Sequence, residues 1–199
     1  GFLEEAKRDG EKTIRALDRY ARRGVPIVAI EPSCASSLYD DLPDLVDDRE
    51  RAKRVAQAVS PIQDFLAREM DRGRLKPEGP GDGGTPVLLH GHCHQKALTT
   101  TRASKRLLAA AGAAVAEVDS GCCGMAGSFG YEAEHYGISQ RIGERRLFPA
   151  VRGAAQETLV VADGFSCRHQ ISDATCRQPV HFVEAFGRLT FGCDRPPEQ

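Results

Sequence analysis

The sequence predicts an α/β fold, an open and mostly parallel sheet of four to five strands with helices on both faces and cysteines at the carboxyl edge. Three observations predict it. Short apolar runs suited to buried strands recur along the chain, and stretches with helical spacing separate them. In addition, cysteines follow each of the first four apolar runs within a few residues. In an open parallel sheet all strands end on one edge, and ligands bind there.

The elements follow in order. Leu3, Ala6, Ile14, Leu17 and Ala21 keep helical spacing, and Gly24 stands where a helix would stop. VPIVAI (25–30) is the first strand. A charged helix is expected from about Asp48 to Val59. Ser60-Pro61 reads as an N-cap followed by the first-turn proline of another helix, reaching about Arg72. GRLKPEGPGDGGT (73–85) is a flexible loop by composition. PVLLHG (86–91) is the second strand, residues 96–111 an alanine- and leucine-rich helix, and AAVAEVD (113–119) the third strand. Residues 132–154 read as helical with a break near Pro149. ETLVVAD (157–163) is the fourth strand and PVHFV (179–183) a short fifth. No internal repeat is visible.

The 199 residues suffice for one good-sized domain or two small ones, and a single cysteine-rich domain over 1–199 is expected. The opening GFLEEAKRDG lacks a methionine and enters its helix abruptly, as a fragment of something longer would. With 41% hydrophobic and 28% charged residues the composition is that of a soluble globular protein. A net charge of -1 gives no electrostatic attraction for nucleic acid or an anionic membrane. No apolar run approaches the ~20 residues of a membrane-spanning helix, and no signal-peptide pattern is visible. Seven cysteines, two of them adjacent, fit a secreted disulfide framework poorly. They fit a reducing, cytoplasmic setting, where clustered cysteines mean metal or redox chemistry.

Cys34 lies in EPSCASSL, Cys93 in HGHCHQKAL, Cys122 and Cys123 in DSGCCGMAGSFGYE, and Cys167 in DGFSCRHQI. Four consecutive strand ends thus deliver five thiols to one rim. Gly121, Gly124, Gly127 and Gly130 let the backbone fold tightly around a bound centre, and the amides of such a turn stabilise negative charge on sulfur. Hydrogen bonds of that kind also set the potential of an iron–sulfur centre. Three or more thiolates packed together repel one another, so a cation must hold them. Zinc and iron–sulfur clusters both take soft sulfur ligands.

SGCCGMAGSFGYE, with HGHCHQKAL upstream and GFSCR downstream, resembles the cysteine-rich CCG-domain family. That domain occurs in heterodisulfide reductase and in the iron–sulfur subunits of glycolate oxidase and anaerobic glycerol-3-phosphate dehydrogenase. The likeness is greatest to the C-terminal part of fused FAD-linked D-2-hydroxyacid dehydrogenases, of the D-lactate or D-2-hydroxyglutarate type. It covers nearly the whole chain. The resemblance implies an electron-transfer module within a larger oxidoreductase acting on the CH–OH group of 2-hydroxy acids, the module itself not catalytic. It implies an iron–sulfur cluster of the 4Fe-4S type, with zinc in some relatives, and FAD on a part outside this chain. Implied partners are an FAD-binding dehydrogenase part or subunit and a ferredoxin-like iron–sulfur module, with peripheral membrane association through them.

The family motif runs as a cysteine, then Cys-Cys-Gly, then Cys-x-x-Cys. Carried onto this chain, the resemblance assigns Cys93, Cys122, Cys123 and Cys167 as metal ligands. The chain departs from the motif at its last cysteine, where Gln170 stands. His169, Cys34 or a water are the candidates for that gap. Cys34 is alternatively the last cysteine of a preceding motif. Gly121, Gly124 and His94 are the residues expected to bind the cofactor from around the ligands.

The remaining features read more plainly. His92 and His94 flank Cys93, so at most one faces the same way as its sulfur; either can donate to a thiolate or cap the following helix. His90 lies within a strand and reads as structural, and His135 and His181 have no assigned role. Cys176 and Cys193 match no motif element and read as structural or incidental. AGSFG (126–130) imitates a nucleophile elbow around Ser128, but Ala126 replaces its first glycine and no acid–histidine pair accompanies it. Basic residues in RERAKR and ERR alternate with acids and read as solvated helix faces. Three classes remain: an iron–sulfur electron-transfer module, a zinc-stabilised scaffold without redox role, and a metal-free docking domain.

Overall fold

A computed structural model describes residues 1–79 and 84–192. Within the loop expected over 73–85, residues 80–83 lie outside that description, as does Cys193. The chain divides into two compact units, one spanning Gly1–Phe65 and the other beginning at Leu66.

The first unit opens with α1 (Leu3–Ala21), which buries Gly10, Ile14 and Asp18, one residue per turn along a single stripe. Gly24 follows at φ 69°, the left-handed stop its sequence position predicts. Strand β1 (Ile27–Ala29) leads into α2 (Pro32–Ser36), a π-helical turn (Ser37–Asp41) and α3 (Leu42–Leu45). Asp48 caps α4 (Arg49–Ala58) by accepting from the Arg51 N–H at 3.0 Å. Ile14, Val46, Ala52 and Val55 form the core of this unit. At its margin the buried Asp18 carboxylate meets Arg22 at 2.8 Å, Arg54 at 2.9 Å and Arg51 at 3.4 Å. A buried charge is tolerated only when paired in this way.

Val59–Pro61 is not the helix junction its sequence predicts. It forms a strand, β2, paired parallel to β1 with Ile27 opposite Val59. The chain then enters α5 (Ile62–Asp71), later than the capping signal implies.

The second unit holds a three-stranded parallel sheet in the order β4-β3-β5, built from β3 (Thr85–His90), β4 (Ala113–Glu117) and β5 (Leu159–Ala162). The expected single sheet of four to five strands is therefore corrected. Five parallel strands exist among the described residues, but they divide into a two-stranded and a three-stranded sheet. The expected fifth strand at 179–183 reduces to one bridge between Val161 and Val180. Pro179 has no N–H to donate, and His181 already caps the terminal helix Phe182–Phe191, so no further pairing follows.

The helix expected over 96–111 is two, α6 (Cys93–Leu98) and α7 (Arg102–Ala110). That over 132–154 is likewise two, α8 (Ala133–Glu144) and α9 (Leu147–Gly153). The break falls at Arg145–Arg146 rather than at Pro149. Pro149 sits in the first turn of α9, where its missing N–H costs nothing. Helix α10 (Phe165–Thr175) follows β5, and α11 (Phe182–Phe191) closes the described chain. Arg177 secures the approach to β5 by donating to the carbonyl oxygens of Ala154, Ala155, Gln156 and Thr158. Among the described residues no helix is long and apolar enough to cross a membrane.

Candidate metal centre

All three strands of the second unit are parallel, so their carboxyl ends share one edge. The register puts Leu89 of β3 opposite Val161 of β5 and Glu117 of β4. Cys93 opens α6 shortly beyond β3. Cys122 and Cys123 lie in the loop after β4, and Cys167 lies in the first turn of α10 after β5. Of the five thiols expected at one rim, these four follow the strands of one sheet, whereas Cys34 follows β1, which belongs to the separate two-stranded sheet, so the five-thiol rim is corrected to four.

Their sulfurs form a run of neighbouring pairs, Cys93 beside Cys122, Cys122 beside Cys123 and Cys123 beside Cys167, with the His90 ring close to Cys123 and Cys167. The thiols of Cys93 and Cys123 are each pushed up, first by donating to Cys122 and then by further sulfur contact and burial. Cys122 is pulled far down, foremost by the hydrogen bonds it accepts from Cys123 and Cys93. Cys167 is also held well below the ordinary thiol value, first by Cys123, with burial opposing and His90 assisting. The shifts therefore alternate in direction along the run, up at Cys93 and Cys123 and down at Cys122 and Cys167.

The backbone of the glycine run contributes as its composition implies. The Gly124 N–H donates to Cys122 Sγ at 3.3 Å, and the Ala126 N–H approaches the same sulfur. The Met125 N–H lies against Cys123 Sγ and the His94 N–H against Cys93 Sγ. Aiming three successive amides inward takes an unusual backbone path. Gly124 has φ 106° and Ala126 φ 41°. A Cβ on Gly124 would collide with the carbonyl oxygen of Ser139 and press on Gln170 at 3.0 Å. Gly121 has open space around it.

The other expected residues fall as follows. Gln170 points into the loop, where Nε2 donates to the Cys123 carbonyl at 3.1 Å and to Ser139 Oγ at 2.7 Å. His169, one candidate for the missing ligand, has its Nδ1 paired with the Tyr131 hydroxyl at 3.1 Å, and its ring packs on Phe165. The His94 side chain is exposed and meets His92 edge-on at 5.3 Å. His92 caps α6 by accepting the His94 N–H on Nδ1. Cys34 lies on α2 of the first unit, exposed, and Cys176 is exposed at the end of α10.

His90 is the residue the sequence misses. It ends β3, is 1% exposed, and one ring nitrogen lies within 4.8 Å of the sulfurs of Cys123 and Cys167. Its position before Gly-His-Cys was the available signal, but strand periodicity hid it.

The donor set fits a thiophilic metal centre. Four sulfurs lie in successive contact, the His90 imidazole lies close to those of Cys123 and Cys167, and inward amides favour negative charge on Cys122. Cys122 also lines a cavity of about 450 Å³ with Gly121, Arg145 and Arg146, which leaves one side of the site open.

Residues 87–172 match the family model of the CCG cysteine-rich domain. The matched stretch contains every member of the sulfur chain. Over 187 residues, 90% of this chain, the sequence is 28% identical to a subunit of the anaerobic glycerol-3-phosphate dehydrogenase of Escherichia coli K12, of which 45% is covered. It is 30% identical over 188 residues, 93% of the chain, to D-2-hydroxyglutarate dehydrogenase of the same organism, covering 18% of that protein. With the D-2-hydroxyglutarate dehydrogenase of Pantoea ananatis it shares 28% over 174 residues, covering 86% of the chain and 16% of that relative. The chain thus spans less than half the length of these curated relatives. No solved structure matches it.

Proposed function

We propose that the second unit of this CCG-domain chain is the electron-transfer module of a flavin-linked dehydrogenase acting on a 2-hydroxy acid, of the glycolate or D-lactate type. The observation that carries this reading is the continuous sulfur chain of Cys93, Cys122, Cys123 and Cys167 at one sheet edge. The similarity to two kinds of dehydrogenase supports it. In this proposal these four cysteines hold an iron–sulfur cluster, which supplies one-electron chemistry between a flavin elsewhere and a downstream acceptor. The Gly124, Met125 and Ala126 amides stabilise the sulfur charge, and the His94 amide does so for Cys93. Cys34 is assigned to a separate, preceding cysteine set. The cytoplasm, with partners at the inner membrane face, suits such a role.

Zinc held without redox function is the second reading, favoured by the mixed thiolate and imidazole donors. Anaerobic reconstitution with iron and sulfide, followed by metal and acid-labile sulfide analysis and paramagnetic resonance, separates the two. A reducible cluster is expected. Stoichiometric zinc that iron does not displace would overturn the electron-transfer role.

A further inference from the structure

We propose that His90 is a metal ligand, supplying through Nε2 the donor that the missing second cysteine of Cys-x-x-Cys does not. The proposal rests on the metal-centre reading above but is indifferent to whether the metal is redox-active. Its Nδ1 pairs with Ser120 Oγ at 2.9 Å, which fixes the ring. Its Nε2 is buried and has no hydrogen-bond partner. Buried polar atoms left so are rare, and one beside two cysteine sulfurs has the geometry of a metal ligand. A ring nitrogen of His90 and the Cys123 and Cys167 sulfurs, all buried, lie within 4.8 Å of one another.

The alternatives at the last motif position are otherwise engaged. Gln170 spends its amide on Cys123, Ser139 and Gln140. His169 is turned to Tyr131 and Phe165. His90 sits instead at the end of the central strand, paired to β5 through His90 opposite Ala162, so its ring has a rigid support. Ligation through Nε2 requires the neutral tautomer with the proton on Nδ1, and Ser120 Oγ accepts that proton's hydrogen bond. This is the arrangement in which a serine orients a histidine for a metal. Replacing a thiolate by an imidazole removes negative charge, and histidine-ligated clusters have higher potentials than all-cysteine ones for that reason.

The test uses Zn²⁺ alone as probe on the anaerobically reduced chain, with X-ray absorption at the zinc edge. The wild type should show sulfur near ~2.3 Å together with one imidazole nitrogen near ~2.0 Å. In His90→Gln the imidazole scattering should vanish, and affinity should fall by more than about tenfold. Ser120→Ala, which keeps the ligand but frees its ring, should retain the imidazole signal and bind about 10–100-fold more weakly. It also covers the case in which His90→Gln fails to fold. An all-sulfur shell in the wild type, or an imidazole signal surviving in His90→Gln, overturns the proposal while leaving the metal centre standing. A chain that takes up no metal at all overturns both.

Discussion

Gln170 Nε2 donates to the carbonyl oxygen of Cys123 at 3.1 Å, so the residue standing in place of the motif's last cysteine braces the cysteine loop. The same amide reaches Ser139 Oγ at 2.7 Å, which ties the loop to α8. A ligand position has become a strut. Gln170→Ala should leave buried polar groups unpaired and cost about 1–3 kcal/mol, lowering the melting temperature by several degrees. Metal stoichiometry, measured in the cold, should be unchanged. A lost or altered metal shell would show that Gln170 ligates after all.

Gly124→Val should abolish metal loading. Its φ of 106° is unfavourable for any side chain, and the added atoms would strike the Ser139 carbonyl. The loop carrying the amides of residues 124–126 would then shift away from the sulfurs. Circular dichroism should retain most of the helix signal, while metal content falls to background. Full loading in this variant would mean that the glycine has another purpose.

Cysteines should divide sharply in their response to substitution. Cys123→Ala removes the central link of the sulfur chain and should eliminate the bound metal. Cys176→Gly should leave metal content unchanged. Because Cys176 holds φ 56° at the end of α10, glycine there should raise stability by about 1 kcal/mol, read as a small rise in melting temperature.

Acid should selectively weaken the first unit. Hydrogen bonding to Arg54 holds Asp18 below its ordinary value of 3.8, with burial opposing and Arg22 assisting. A depressed carboxyl contributes stability above its unfolded pKa and loses it as pH falls through the folded one. Asp18→Asn should therefore melt lower than the wild type at neutral pH, and the difference should close as pH falls below 3.8. A constant difference across that range would mean that the charge of Asp18 contributes nothing.

The candidate site was more legible than the sheet that carries it. Cysteines directly after apolar runs, and glycines around Cys122 and Cys123, are local signals, and the family motif concentrates them. The pairing of β1 with β2 was hidden because Ser60-Pro61 is equally good as a helix cap, and so short a strand leaves no periodicity to count. The break between α8 and α9 was misplaced for a related reason. Proline signals a helix boundary from either side, and Pro149 marks a start.

By itself the sequence determined the donors: which thiols exist, which strand end each follows, and which glycines free the amides beside them. Only the tertiary structure decided how they combine. Whether His90 faces the sulfurs depends on the twist and register of β3 between β4 and β5, and on Ser120, distant in the chain, holding its ring. Whether Gln170 ligates or braces depends on how α10 packs over the loop after β4. Both are distances between residues far apart in the chain, and no local periodicity encodes them. They follow from parallel strand pairing and core packing, which fix side-chain directions only when the whole unit has closed.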